Sequence, residues 1–397
     1  MKGNQRVILH IIFDGVLFDQ VYPRFEKMEK YDNRYLLDNL GNEHRFKFIR
    51  NSEKIICAKT LEEWSHVIKD PSVDIIYMHG LWQSYLKIID YIRPNVVVMW
   101  WVYGMEIYEN CLRWPPLLPL RLYKPRTHWF CLKNIMSIHL LTADLSVYFP
   151  KIYVSLIKIY YFIKGKKGDE LKRLLSRIDF AFTPLEIELE ELKKRHPYIK
   201  AKPYRLRPSF VKEPIQIHKS VGGILLEHSA NLTNNHLDII AAIKKKELNL
   251  KNRDIYIPLS YGEKKLADRV QIEANFEDAN VHCLMEAIPF SEYSEMISSC
   301  THAIFGMLRQ SGLGNIYLCL RRGVKVFFFE DSILYKYFKN KDFYVFTIEH
   351  DLNDSSITEP LTIEQAQNNY DRFYSMFGAS YGTYQQQFDE ILKGIFE

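Results

Sequence analysis

Apolar and polar positions alternate in blocks over the first 110 residues. Apolar runs at 6–13, 45–50, 73–79 and 95–101, the last around VVVMWWV, read as strands buried on both faces. Helical spacing fills the gaps near 23–40, 60–69 and 82–92. A segment over 104–177 interrupts this rhythm, which returns with a strand at 178–182 and a helix at 185–195. Pro197, Pro203, Pro208 and Pro214 mark a linker over 197–221. The second half repeats the pattern, with strands at 222–227, 253–259, 281–284, 302–306 and 324–329. Helices are expected at 235–248, 263–275, 290–300, 312–322 and 332–339, and a helical tail at 362–395. The pattern predicts an α/β chain of two doubly wound, Rossmann-like domains facing across a cleft. The N-terminal domain spans 1–205 and the C-terminal domain, with the tail, 206–397. In such sheets ligands bind outside the carboxyl ends of the strands.

Three strand-end loops of the second half carry chemistry. In 303–331, AIFGMLRQSGLGNIYLCLRRGVKVFFFED, a strand runs into a turn with Arg309, Gln310, Ser311, Gly312, Gly314 and Asn315, then a helix. The turn gathers backbone N–H groups and a positive helix end where a diphosphate can sit, and Arg309 adds a charged donor. It is neither a Walker loop nor a full G-x-G-x-x-G. Glu330 and Asp331, at the next strand end, can accept from ribose or sugar hydroxyls. In 222–236 a strand ends near Glu227, and Ser229, Asn234 and His236 lead into a helix. In 258–262, Tyr261 offers a face for a base and Gly262 allows close backbone approach. Each loop is also readable as an ordinary turn or helix cap.

The first half offers candidate bases at strand ends: Asp14, His79 and Glu106. Group transfer to a hydroxyl needs a carboxylate or imidazole within reach of the nucleophile, and either Glu106 or His79 suits. No D-x-D motif or His/Cys cluster suggests a metal, and none is expected; a helix end with Arg309 can neutralise a leaving diphosphate instead.

Composition adds a membrane to this picture. The formal charge is +5, yet residues 113–167 carry ten Lys/Arg against the single acid Asp144, leaving the remainder net acidic. That stretch also holds Trp114, Trp129-Phe130 and IYVSLIKIYYFI. Basic residues among large apolar ones suit an anionic lipid surface, with Arg121, Lys124, Trp129, Lys158, Lys164, Lys166 and Lys167 facing it. The other reading is a basic helix pair packed on its own domain. Nucleic acid is not expected, because the aromatics sit inside apolar runs. No run reaches 18 uninterrupted apolar residues, and no secretory signal is expected at the start. Six cysteines, none in a C-x-x-C pair, point to a reducing compartment.

The segments ILLEHSANLTNNH (224–236), IPLSYG (257–262), IPFSEYSEMISSCTHAIFGMLRQSGLGN (288–315) and RRGVKVFFFED (321–331) resemble the TDP-N-acetylfucosamine:lipid II N-acetylfucosaminyltransferases, glycosyltransferase family 56. IYMHG (76–80) and VYGMEIYE (102–109) echo the family more faintly, and Gly104-Met105-Glu106 stands where it carries a Gly-Ala-Asp loop. The resemblance implies a GT-B architecture and a metal-independent hexosyltransferase with no cofactor. The donor, a nucleotide diphosphate sugar, would sit on the second half at Ser229, Asn234, His236, Arg309, Gln310, Gly312 and Gly314. It also implies a fucose-like or 4-acetamido-4,6-dideoxygalactose unit passed to a polyprenyl-diphosphate-linked glycan, in bacterial surface polysaccharide synthesis, at the cytoplasmic face of the membrane. The alternatives on one architecture are a nucleotide-sugar epimerase, a pyruvyl transferase, or a non-catalytic glycan- or lipid-binding component.

Overall fold

The structure is a computed structural model. It describes the chain apart from residues 1–4, 16–17, 39–45, 47–48, 50–52, 110–115, 136–144, 146, 150, 154, 157–158, 160–168, 207–209, 211, 378–381 and 397. The chain divides into two compact units, Met1–Pro119 with Thr142–Pro208 and Ser380–Glu397, and Leu120–Leu141 with Ser209–Ala379.

In unit 1, strands β1 (Arg6–Ile12), β2 (Tyr31–Leu37), β3 (Ile55–Ile56), β4 (Val73–His79), β5 (Val97–Trp101), β6 (Phe180–Phe182) and β7 (Lys202–Pro203) form one parallel sheet. Its order is β3-β2-β1-β4-β5-β6-β7. In unit 2, β8 (Gly223–Leu226), β9 (Asp254–Pro258), β10 (Asn280–Leu284), β11 (Cys300–Phe305), β12 (Lys325–Phe328) and β13 (Phe346–Thr347) form a second parallel sheet, ordered β10-β9-β8-β11-β12-β13. Runs such as VVMWW and CTHAIF become strands because helices on both faces keep nearly every side chain from water. The strand order of each sheet reverses once, between β1 and β4 and between β8 and β11. Those switch points are where such sheets open a crevice.

Several sequence expectations change. The helix expected over 23–40 is a helix at Phe18–Glu26 followed by β2. The strand YDNRYLL was hidden by its polar residues Asp32, Asn33 and Arg34, although it pairs with strands on both sides. The strand expected at 45–50 lies largely outside the described residues; Phe46 and Ile49 are described and lie outside any strand. Residues 82–92 form two short 3-10 turns, Gln83–Lys87 and Ile89–Tyr91, instead of a helix.

A linear split at 205/206 also misplaces two segments. The expected tail is two helices, Ile363–Phe377 in unit 2 and Tyr384–Ile391 in unit 1. Tyr384, Phe388 and Leu392 enter the unit 1 core beside Phe25, Tyr31 and Tyr77, and Lys30 pairs with Asp389 at 2.7 Å. Leu120–Leu141, the front of the basic segment, packs on unit 2. Asp238 accepts from the amides of Arg126 and Thr127, both at 2.8 Å, capping the helix Pro125–Asn134. Phe130 and Cys131 of that helix join the unit 2 core beside Leu237 and Ile240.

Candidate active site

The unit 2 switch point is assembled by contacts between loops. β8 is followed by Glu227, whose backbone is left-handed at φ 64°. Its Oε1 accepts from the Gly306 amide after β11, and the Met307 amide also reaches the carboxylate. Burial pushes the Glu227 pKa above the ordinary carboxylate range, against the pull of His228 and these two amides. Asn235, left-handed at φ 55°, donates from Nδ2 to the carbonyl oxygens of Gly306 (2.9 Å) and Leu122 (3.1 Å). The third loop joins through Ala230, whose amide donates to Tyr261 O at 2.8 Å while its carbonyl accepts from Glu263 N at 2.9 Å. A Cβ at Gly262 would run into the Ala230 carbonyl, so no other residue fits this crossing. The loops read from the sequence at 224–236, 257–262 and 306–315 therefore meet at one strand edge.

The expected donor residues occupy that edge unequally. Ser229 is buried, and Asn234 Nδ2 donates to its carbonyl (2.9 Å) and Oγ (3.1 Å). His236 opens the helix His236–Lys245. Burial, aided by His228, lowers its pKa to about 3, so it is neutral at ordinary pH. Arg309 is buried and donates from Nη1 to the Gln310 carbonyl at 2.7 Å. Gly312 caps the helix Leu313–Arg321 at φ 61°, and a Cβ there would lie 2.7 Å from His228 Nδ1. Gly314 faces open space, and Asn315 lies half-buried in the first turn. Tyr261 is 37% exposed, with its hydroxyl bonded to Ser229.

Buried side-chain atoms here are left without a partner among the described residues. They are Thr233 Oγ1, Asn234 Oδ1, both ring nitrogens of His236, Tyr293 Oη and Gln310 Oε1. Glu227, His228, Thr233 and Tyr293 were not singled out from the sequence. The signal available was a polar pair, Glu-His, ending the apolar strand GGILL.

Glu330 and Asp331 stand apart from this cluster in their bonding. Glu330 is exposed and meets His350 Nε2 at 3.2 Å. Asp331 pairs with Lys124 Nζ at 2.9 Å, which also reaches Glu349 at 3.2 Å and lies over the Phe329 ring. Lys124 is thus tied within unit 2, which corrects its expected place on a lipid-facing surface. Arg121 and Trp129 are exposed, Trp129 by 70%. Lys158, Lys164, Lys166 and Lys167 lie outside the described residues.

In unit 1 the three candidate bases follow β1, β4 and β5. Asp14 Oδ1 accepts from the Ile49 amide at 3.0 Å, holding a loop. Glu106 is buried, and its Oε1 accepts from Tyr103 N at 2.9 Å and Trp100 Nε1 at 3.3 Å. His79 ends β4, with Nε2 3.1 Å from His10 Nδ1. Burial and the neighbouring His10 hold it well below its ordinary pKa of 6.5. Phe13, Trp82 and Tyr103 wall this edge, with the Phe13 ring 5.1 Å from Trp82 and 5.6 Å from Tyr103. Among the described residues, no group of three or more His, Cys, Asp or Glu side chains could hold a metal ion.

Two doubly wound parallel sheets, with phosphate-type loops at the carboxyl edge of the second, make the GT-B fold. Solved structures share this fold over the full length. Sucrose-phosphate synthase from Thermosynechococcus elongatus matches at TM-score 0.60 and 9% identity, covering 98% of this chain and 99% of that one. Anabaena HepE, in complex with UDP and glucose, matches at TM-score 0.56 and 9% identity over 98% and 99%. WaaG, a glycosyltransferase involved in lipopolysaccharide biosynthesis, matches at TM-score 0.55 and 11% identity over 98% and 100%. The family model described as 4-alpha-L-fucosyltransferase, glycosyl transferase group 56, matches residues 174–393, and the chain belongs to that family. It is a hexosyltransferase acting on a fucosyl-type sugar.

Proposed function

We propose that this protein moves a fucose-like sugar, 4-acetamido-4,6-dideoxygalactose by family resemblance, from a nucleotide diphosphate to a polyprenyl-diphosphate-linked glycan in surface polysaccharide synthesis. The acceptor hydroxyl oxygen bonds to the sugar's anomeric carbon as the carbon–oxygen bond to diphosphate breaks. The nucleotide leaves with that bond's electron pair, and the hydroxyl proton passes to a base, His79 or Glu106.

The observation that carries this reading is the set of partnerless buried polar atoms at the unit 2 switch point. Each such atom costs about 1–3 kcal/mol if left dry, so a ligand or water completes the set. Its chemistry is mixed. Thr233 Oγ1 and a His236 N–H can donate, as can the helix amides near Gly312, with Arg309 adding charge. Asn234 Oδ1 and Gln310 Oε1 accept. A sugar nucleotide, which presents phosphate oxygens and sugar hydroxyls together, meets both kinds of group. Neutralisation of the leaving diphosphate by Arg309 and the helix end needs no metal.

Lipid docking is supported separately in unit 1. Ile152, Leu156 and Ile159 are helical and 54%, 51% and 55% exposed, spaced to share one helical face, with exposed Lys151 beside them. An apolar stripe bordered by lysine suits the surface of an anionic bilayer. No described helix is long and apolar enough to cross a membrane. The reading places the protein peripherally on the cytoplasmic face.

The test supplies the nucleotide sugar and a polyprenyl-diphosphate-linked glycan in anionic vesicles and follows products by mass spectrometry. A lipid-linked product longer by one deoxy-amino sugar, formed only with both substrates, is expected. Conversion of the nucleotide sugar without acceptor would mark an epimerase. Absence of nucleotide binding would mark a non-catalytic component.

A further inference from the structure

Two polar residues on adjacent strands, the fully buried His10 and the half-buried Asn33, break the apolar pattern of the sheet, a placement that function often explains. His10 sits in the middle of RVILHII and is fully buried. Asn33 sits within β2. The parallel register pairs His10 with Tyr35 and Tyr77, and Ile8 with Asn33. Side-chain alternation then puts His10, Asn33 and His79 on one face of the sheet.

Their hydrogen bonds have a direction that can be derived. The Phe25 carbonyl can only accept, and Asn33 Nδ2 donates to it at 2.9 Å. Asn33 must therefore turn Oδ1 to His10 Nε2, 3.0 Å away, and that nitrogen must carry the proton. A neutral His10 then has a bare Nδ1, which accepts from His79 Nε2–H at 3.1 Å. The remaining nitrogen of a neutral His79, Nδ1, is left with its lone pair. No hydrogen bond among the described residues takes that nitrogen. Burial lowers the His10 pKa to about 4, and burial with the neighbouring His10 holds His79 well below 6.5, which keeps both rings neutral. The titratable rings packed on the pair include Tyr35 and Tyr77, both held protonated by burial, with Glu26 engaged on the Tyr35 hydroxyl at 3.0 Å, and Glu106 lies beyond Gly80, where a Cβ would come within 3.7 Å of its Oε1. The edge beside His79 also offers a donor. A Cβ at Gly80 would lie 3.6 Å from Trp82 Nε1, a buried N–H with no partner among the described residues.

We propose that Asn33 and His10 are positioning residues that lock His79 as the Nε2–H tautomer, so that its Nδ1 takes the acceptor hydroxyl's proton. The inference rests on the glycosyl-transfer reading and chooses between its two bases. Glu106 Oε1 already accepts from Tyr103 N and Trp100 Nε1. His79 has the open lone pair. On taking the proton it becomes an imidazolium, and its Nε2–H bond to His10 strengthens, as expected of a charged donor. An amide at the far end, in place of a carboxylate, leaves the base neutral and unprotonated throughout the physiological range.

Long-range proton–nitrogen NMR of the wild-type protein, with assignments from single His→Gln variants, reads the tautomers directly. Neutral Nε2–H rings for both His10 and His79 are expected. An Nδ1–H ring at His79 would overturn the proposal without touching the glycosyltransferase assignment. Turnover gives the second readout. His10→Phe should lower kcat about tenfold or more, part of the 10²–10⁴ that a positioned base supplies, with the donor KM unchanged. His10→Asn, which can present an oxygen near the position of Nδ1, should recover part of that loss. A folded His10→Phe with wild-type kcat and pH profile would refute the relay. A wild-type enzyme that binds no nucleotide would instead refute the functional reading.

Discussion

Two buried histidines, one ending β4 in unit 1 and one opening the helix after β8 in unit 2, are treated in opposite ways. In unit 1, beside the β1/β4 switch point, His79 is bonded through His10 to Asn33, and one lone pair remains. In unit 2, beside the β8/β11 switch point, His236 is buried with both ring nitrogens unmet. The walls differ too: Phe13, Trp82 and Tyr103 in unit 1, against Asn, Thr, Gln and glycine loops in unit 2. A polar group whose bonds are complete save one is set up to handle one proton. A cluster with many open bonds is set up to be filled. Strand order alone does not distinguish the two; the loops do.

The largest expected effect sharpens this contrast. Arg309→Ala should lower kcat/KM for the nucleotide sugar about 10²–10³-fold, the range seen when a donor to developing charge is removed. Steady-state kinetics at varied donor concentration measures it. An unchanged kcat/KM would remove Arg309 from the diphosphate and weaken the division of labour.

Acid probes what the two switch points share. In the folded protein burial holds His10 at about 4 and His236 at about 3, and His302 in β11 at about 3, with Arg253 and Lys325 adding to its shift. Unfolded, each titrates near 6.5. Between these values the unfolded chain binds more protons, so stability rises with pH there. It is fully present above about 6.5 and lost as pH falls toward about 4, at up to about 1.4 kcal/mol per pH unit for each histidine. Denaturant melts from pH 7 to pH 4.5 should show a falling midpoint. A flat midpoint would mean that these rings are not buried neutral.

The smallest effect is the most discriminating about unit 2. Gly314 has ordinary backbone and empty space around it, so the fold has no need of glycine there. Gly314→Ala should leave stability unchanged or raise it by up to about 1 kcal/mol, as expected of alanine in a helix, while raising the donor KM. Stabilisation with an unchanged KM would show that no ligand approaches that turn.

Much of the fold was legible from apolar runs, because strands buried on both faces read as uninterrupted hydrophobic blocks. β2 escaped because Asn33 and its neighbours break the block, and Asn33 spends its side chain on His10 and the Phe25 carbonyl. The three two-residue edge strands, β3, β7 and β13, were too short to leave a pattern. The meeting of the three unit 2 loops was readable from glycines, and the structure adds why: Gly262 and Gly312 sit where a Cβ would meet Ala230 and His228. Glu227 was not readable as a clamp, since a left-handed backbone at a strand end leaves no mark when the residue is not glycine. The lysine at 124 looked like one more surface charge, and only its partners Asp331 and Glu349, more than 200 positions away, show otherwise.

Calorimetric titration of a nucleoside diphosphate into wild type, Arg309→Ala and His79→Ala tests the central claim most directly. The account expects wild type and His79→Ala to bind alike, and Arg309→Ala to lose at least about tenfold in affinity, as for a charge-assisted bond worth roughly 1.5–3 kcal/mol. Equal binding by all three proteins, or loss confined to His79→Ala, would contradict it.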